Sequence, residues 1–158
     1  MRITKADYED LQEILQLQYL AYQSEAELFG SQDIPPLKQT LEEVVEEYRN
    51  GIILKMVNEH DEIIGSVRAR ESDGTAYIGK LMVHPDCRHK GFGIRLLSEI
   101  EKMYPGKRYE LFTSTRSSNN IRLYQRMGYR IFDQKSITGE LQFVYLEKQA
   151  DGSENAHL

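Results

Sequence analysis

Apolar side chains recur at helical spacing through the stretch "KADYEDLQEILQLQYLAYQ", where Leu11, Ile14, Leu15, Tyr19 and Tyr22 define one face. The spacing predicts a helix over 7–23, after a short strand at 2–4 and with Thr4 and Asp7 in an N-capping relation. Gly30 and the pair Pro35-Pro36 interrupt the pattern, so the next stretch reads as a loop with room for a short turn of helix. Thr40 and Glu43 form a capping box that opens a second helix, running through Arg49 and stopping before Gly51. Glu42, Glu43, Glu46 and Glu47 are then most simply its solvated face.

From residue 52 the pattern turns to strands. "IILKMVN" and "IIGSVRAR" are joined by the hairpin-length "EHDE", and "SDGT" turns the chain into "AYIGKLMV". A helix follows in which Ile94, Leu97, Ile100 and Met103 recur at spacings of three, ended by Pro105-Gly106. "RYELFTST" is another strand, "SNNIRLYQRM" another helix stopped at Gly128, and "YRIFDQKS" and "LQFVYLEK" a closing pair of strands. The order β-α-α-β-β-β-α-β-α-β-β predicts one α/β domain with a mixed sheet over 1–148. The tail 149–158 lacks apolar content and is predicted to be disordered.

Composition narrows the classes of function. A chain of 158 residues suits one domain with a real core. No run approaches the roughly 18 consecutive apolar residues of a membrane helix, and the first residues carry no apolar signal segment, so no membrane association is expected. Cys87 is the single cysteine, which excludes an internal disulfide and a Cys-based metal cluster. His60, His84, His89 and His157 are scattered without ligand spacing, so no metal is expected. The net charge of −5 argues against general nucleic-acid binding. A cytoplasmic protein is the expectation.

The candidate chemistry sits in "RHKGFG", residues 88–93. Between a strand ending near Val83 and a helix beginning near Gly91, backbone N–H groups lie without helical partners at the positive end of the helix dipole. Glycines let that backbone approach a phosphate without a Cβ in the way, and Arg88, His89 and Lys90 add positive charge. A diphosphate would be well served. The dinucleotide fingerprint G-x-G-x-x-G lacks its third glycine here and arrives too late in the chain, and a Walker A loop is absent.

The stretch "LMVHPDCRHKGFGIRLL" resembles the acyl-CoA-binding signature of the GNAT superfamily of N-acetyltransferases, with Arg88, Gly91 and Gly93 filling its core R/Q-x-x-G-x-G/A. "SSNNIRLYQRMGY" is similar to the family's later segment N-x-x-x-Y-x-x-x-G-F/Y, filled by Asn120, Tyr124, Gly128 and Tyr129. One helix and one strand separate the two segments, as the family requires. The resemblance implies a GNAT-like single α/β domain, with a mixed, mostly antiparallel central sheet of about seven strands flanked by about four helices. Cys87 stands where many members have an aromatic residue, His89 where many have glycine, and Ser117 where many have asparagine.

By the same resemblance acetyl-CoA is the cosubstrate. Its diphosphate falls to Arg88, His89, Lys90, Gly91, Phe92, Gly93 and Ile94. Its pantetheine arm runs along Leu81, Met82 and Val83 in a gap beside the next strand, with Asn120 at the arm or at the helix start. A β-bulge would free backbone groups there, and Gly79 is a place for one. An N–H near Leu81 or Met82 then polarises the thioester carbonyl. Tyr124 becomes the hydroxyl beside the sulfur; with phenol near 10 and thiol about 8.5, a hydrogen bond matters more than full proton transfer.

No base is identified. His84 reads as a turn residue, and Glu71, Tyr77, Glu25 and Glu27 as surface or packing residues; Arg122 and Arg126 read as a solvated helix face. The implied activity is transfer of an acetyl group from acetyl-CoA to an amine, on a small molecule or a protein, by direct attack in a ternary complex. A non-catalytic acyl-CoA-binding regulatory module is the alternative. Early-loop acids (Glu25, Glu27, Asp33) lean weakly toward a cationic acceptor. Many relatives dimerise through their sheets, so a homodimer stays open.

Overall fold

The computed structural model of the chain describes residues 1–150. In chain order these form β1 (Arg2–Lys5), α1 (Leu11–Ala21), α2 (Gln23–Phe29), α3 (Pro35–Lys38), α4 (Leu41–Asn50), β2 (Ile52–Val57), β3 (Ile63–Ser72), β4 (Thr75–Val83), α5 (Phe92–Lys102), β5 (Arg108–Ser114), α6 (Ser118–Arg126), β6 (Arg130–Ser136) and β7 (Gln142–Gln149). The strands make one sheet in the order β1-β2-β3-β4-β5-β7-β6. Neighbours are antiparallel except β4 and β5, which α5 joins as a crossover. The expected mixed, mostly antiparallel sheet is therefore the observed one.

Period-two alternation assigns the strand residues to two cores. Leu54, Met56, Val67, Ala69 and Ile78 pack with Leu96, Leu97 and Ile100 of α5. Ile53, Val57, Ile63 and Met82 face the other way, against Leu11, Ile14 and Val44 of α1 and α4. The β3–β4 hairpin closes on Asp73 and Gly74, both with positive φ (50° and 82°), the conformation a tight two-residue turn requires. At the start of α4 the Thr40 N–H donates to Glu43 Oε1 (2.9 Å) and the Glu43 N–H to Thr40 Oγ1 (3.2 Å), as the capping box predicts.

The structure differs from the sequence reading at several boundaries. Thr4 lies in β1, and the first cap is Asp7, whose N–H donates to Asp10 Oδ2 (2.7 Å). Much of the predicted loop is helix: the chain bends at Tyr22 and continues as α2, whose good helix formers run until Gly30 ends it at φ 85°. In α5 the buried stripe is Leu96, Leu97 and Ile100, while Ile94 is exposed. The domain reaches Ala150, whose N–H donates to Lys107 O (3.0 Å), so β7 overruns the expected boundary at 148. The rest of the expected tail, 151–158, lies outside the described residues. Among those described, no helix is long and apolar enough to cross a membrane.

Gly51 stops α4 where expected, for a reason the sequence does not display. A Cβ there would stand 2.1 Å from the carbonyl oxygen of Ala69 on β3. Gly51→Ala must push the sheet away from the end of α4, and the expected loss is about 1–3 kcal/mol, read from the urea midpoint. An unchanged midpoint would show that the contact relaxes freely.

Candidate functional site

The parallel ladder between β4 and β5 is short. It runs from Thr75 opposite Arg108 to Tyr77 opposite Glu110 and ends there. β4 stays paired to β3 as far as Val83, and β5 to β7 as far as Ser114. Each strand is held from its outer side while the two diverge. A cleft of about 620 Å³ opens there, with Gly79, Lys80 and Leu81 on one wall and Leu111 and Thr113 on the other.

The divergence has a local device in β4. Its register against β3 slips between Gly79 and Met82, so Lys80 and Leu81 together stand opposite Val67. Lys80 absorbs the extra residue at φ 51°. A bulge bends its strand and increases its twist. The expected bulge is present, with its left-handed residue one place after Gly79.

Tyr124 and Asn120 reach the same cleft from α6. Burial pushes the Tyr124 hydroxyl well above the usual phenol range, and Tyr22 and Glu25 push it further. Asn120 Nδ2 donates to Glu25 Oε1 (3.0 Å), and Ser117 Oγ donates to the other carboxylate oxygen. Glu25 therefore clamps α2 onto the start of α6, where a helix N-terminus favours negative charge. The serine at the family's asparagine position is buried and has a structural partner of its own.

The loop 88–94 sits past the end of β4, outside the cleft lining. His84 serves the turn, its Nδ1 accepting from the Asp86 N–H (3.1 Å). His89 (φ 66°) and Gly91 (φ 80°) are left-handed, and Gly91 is the N-cap of α5 with no side chain to cap it. First-turn N–H groups thus meet solvent beside exposed His89 and Lys90, an arrangement suited to an anion. Arg88 departs from the expectation of a free charge. Its guanidinium turns inward, donating to Ala21 O (2.7 Å) and Ser24 Oγ (3.1 Å). Gly93 faces α6, where a Cβ would stand 3.5 Å from Leu123 Cδ1. Phe92 packs on the α5 core. Leu81 lines the cleft, Met82 is buried under α1 and α4, and Val83 packs against the opposite core.

Arg68, at the centre of β3, was missed by the sequence reading. It is 4% exposed and lines the cleft. Nη1 donates to Glu47 Oε1 (2.6 Å) and Nη2 to Gln18 Oε1 (2.7 Å), while its buried Nε lacks a partner. Gln18 in turn donates to Pro36 O (2.8 Å) and Gln39 Oε1 (2.9 Å). Glu47 is thus no part of a solvated face. Burial pushes its carboxyl up, but Arg68 and Lys80 outweigh that and hold it below the usual range. Burial pushes the Lys80 ammonium down against the pull of Glu47. The one signal for this network was a charge between Val67 and Ala69 in an apolar strand. Of the residues weighed as bases, Glu25 and Tyr77 line the cleft, Glu71 pairs with Lys107 (3.1 Å), and Glu27 is exposed. Arg122 and Arg126 are exposed, as expected.

These features define a single α/β domain whose sheet opens along its parallel strand pair. The chain belongs to the acetyltransferase (GNAT) family, whose model matches residues 8–129. Its fold is similar to that of the ribosomal-protein-S18-alanine N-acetyltransferase of Escherichia coli (TM-score 0.77, 13% identity, 94% of this chain and 92% of that one). It is also similar to NAA60 of Arabidopsis thaliana, solved with a bisubstrate analogue (0.74, 20%, 96% and 99%). A third similar structure is the PaiA N-acetyltransferase of Thermoplasma acidophilum, solved with coenzyme A (0.69, 20%, 94% and 98%). Among curated proteins it matches the UPF0157 protein YqkA of Bacillus subtilis (strain 168), at 26% identity over 119 residues. That match takes in 75% of this chain but only 34% of YqkA, so the chain spans about a third of that relative's length.

Glu47→Gln should destabilise the fold by about 2 kcal/mol, less than a fully buried pair because Glu47 opens to the cleft. The sign with pH follows from the lowered carboxyl. Wild type holds this contribution above the ordinary glutamate value of about 4.3 and loses it as pH falls through the depressed one. Urea midpoints of the two proteins should therefore converge in acid; a constant gap from pH 7 to pH 3 would reject the ion pair as its source.

Proposed function

We propose that this chain transfers an acetyl group from acetyl-CoA to the nitrogen of an amine. The observation that carries the reading is the parting of β4 from β5 beside a bulge, with the uncapped start of α5 past the end of the same strand. An extended arm fits such a gap as an added strand fits a sheet edge. Family membership and the relative solved with coenzyme A support the same cosubstrate. When bound, acetyl-CoA supplies a thioester carbonyl open to attack.

On this reading the main chain of Leu81, Met82 and Val83 orients the pantetheine arm. The loop 88–94 receives the diphosphate on its N–H groups, with His89 and Lys90 contributing charge and Arg88 holding the loop against α1 and α2. Neutral amine nitrogen forms the new C–N bond, the C–S bond breaks, the nitrogen sheds a proton to solvent and the departing thiolate takes one up. Tyr124 keeps its proton because burial raises it, so it acts as a fixed hydrogen-bond donor to the sulfur. Asn120 positions Glu25 at the cleft instead of reserving its amide for the arm. Cytoplasmic residence belongs to the same proposal, since free Cys87 persists where thiols stay reduced.

Calorimetric titration with acetyl-CoA, CoA, ATP and NAD is the first test. Binding of the two CoA species alone is expected, and failure of both to bind removes the reading. Tyr124→Phe should leave acetyl-CoA affinity within about twofold and lower kcat about 100-fold. Binding without CoA release on any amine would favour the regulatory-module alternative.

A further inference from the structure

The charges that line the cleft are unequally matched. Glu46 pairs with Arg49 (3.3 Å), Glu47 with Arg68 (2.6 Å) and Glu110 with Arg108 (2.8 Å). Glu25 is held by the neutral donors Ser117 and Asn120. Two cations in the same lining, Lys80 and Arg70, have no carboxylate within ion-pair distance among the described residues. Arg70 lies over the ring of Tyr77 with its guanidinium carbon 4.6 Å from the centroid, and Tyr77 faces the cleft too.

Placement strengthens the asymmetry. Arg68 and Arg70 alternate along β3 on one face of the sheet, and Tyr77 and Gly79 stand opposite them on β4. Lys80 follows at the bulge, close enough to Arg68 and Glu47 for all three charges to act on one another, with exposed Glu43 beyond. Glu47 and, more weakly, exposed Glu43 act on Lys80, but neither lies within ion-pair distance of it among the described residues, and the buried Nε of Arg68 remains an unused donor. Glu25, near Tyr124 and Tyr22, carries the opposite sign elsewhere in the cleft. Phe29, Ile34 and the stacked pair Phe112 and Phe143 (centroids 4.7 Å apart) add apolar surface to the lining.

We propose that the acceptor is a small amine that itself carries a carboxylate, an amino acid, and that Lys80 with Arg70 receives that carboxylate while the amine lies toward Glu25 and Tyr124. The proposal rests on the acetyltransferase reading and names its substrate class. It reverses the weak lean of the early-loop acids toward a cationic acceptor, because Glu27 and Asp33 lie outside the cleft while Lys80 and Arg70 line it. The reaction is the nitrogen acetylation described above, giving an N-acetylamino acid and CoA.

The test measures thiol release from acetyl-CoA with the protein amino acids as free acids, the same set as methyl esters, and spermidine. Free acids of apolar side chain should be used best, and masking the carboxylate should cost at least about tenfold in kcat/KM, the value of one charge-assisted contact. Lys80→Met keeps the aliphatic stem and the same left-handed backbone. It should raise the KM of the free acids about tenfold and that of the esters by much less. Esters or spermidine used better than the acids would overturn the proposal, as would an equal effect of the variant on acids and esters. Turnover of no free acid by protein that binds acetyl-CoA would overturn it while leaving the cosubstrate intact. Loss of acetyl-CoA binding itself would instead remove the underlying reading.

Discussion

One residue too many in β4 governs the rest of the structure. With Lys80 and Leu81 sharing the place opposite Val67, β4 cannot remain straight beside β5, and the parallel ladder ends at Tyr77. A non-glycine residue in the left-handed region costs about 1–2 kcal/mol. That strain is tolerated because β3 holds β4 on both sides of the bulge, while β7 holds β5 along its whole length. The gap is thus bounded by strands that are each paired on their outer side.

A second constraint is the burial of Arg68. A guanidinium at 4% exposure must find partners, and they come from three separate segments: Gln18 on α1, Gln39 in the approach to α4, and Glu47 on α4. Gln18 reaches further, to the carbonyl of Pro36. The apolar faces of α1 and α4 pack together over the sheet, and this polar network adds directional contacts between the same helices and β3. The same network forms a wall of the cleft, so the groups that position the helices also set the charge of that wall.

The order of elements from α4 onward, the hairpin at Asp73-Gly74, the capping box at Thr40 and the glycine loop before α5 were legible because each depends on residues close in sequence. The family motifs added Tyr124 and Asn120, which do converge on one cleft. What stayed hidden depends on contacts across the chain. Glu47 looks like any solvated glutamate until β3 brings Arg68 beneath it, and Gly51 looks like a helix stop until the Ala69 carbonyl appears at 2.1 Å. Arg88 reads as a free cation until α1 and α2 fold over it. α2 was lost because Gly30 and the two prolines dominate a window whose first half is ordinary helix.

Burial also changes how Tyr124 acts on the proposed reaction. A phenol at its ordinary value is already a weaker acid than a thiol, and burial with Glu25 nearby moves it further in that direction. Giving up its proton would leave a phenolate in a dry site facing a carboxylate, the least stable arrangement available there. On the proposed reading its hydroxyl lends a hydrogen bond and takes it back with no change of charge, and the thiolate takes its proton from solvent. The cleft then needs no titrating group beside the sulfur. Any pH dependence of the step should follow the incoming amine, which must be neutral to attack.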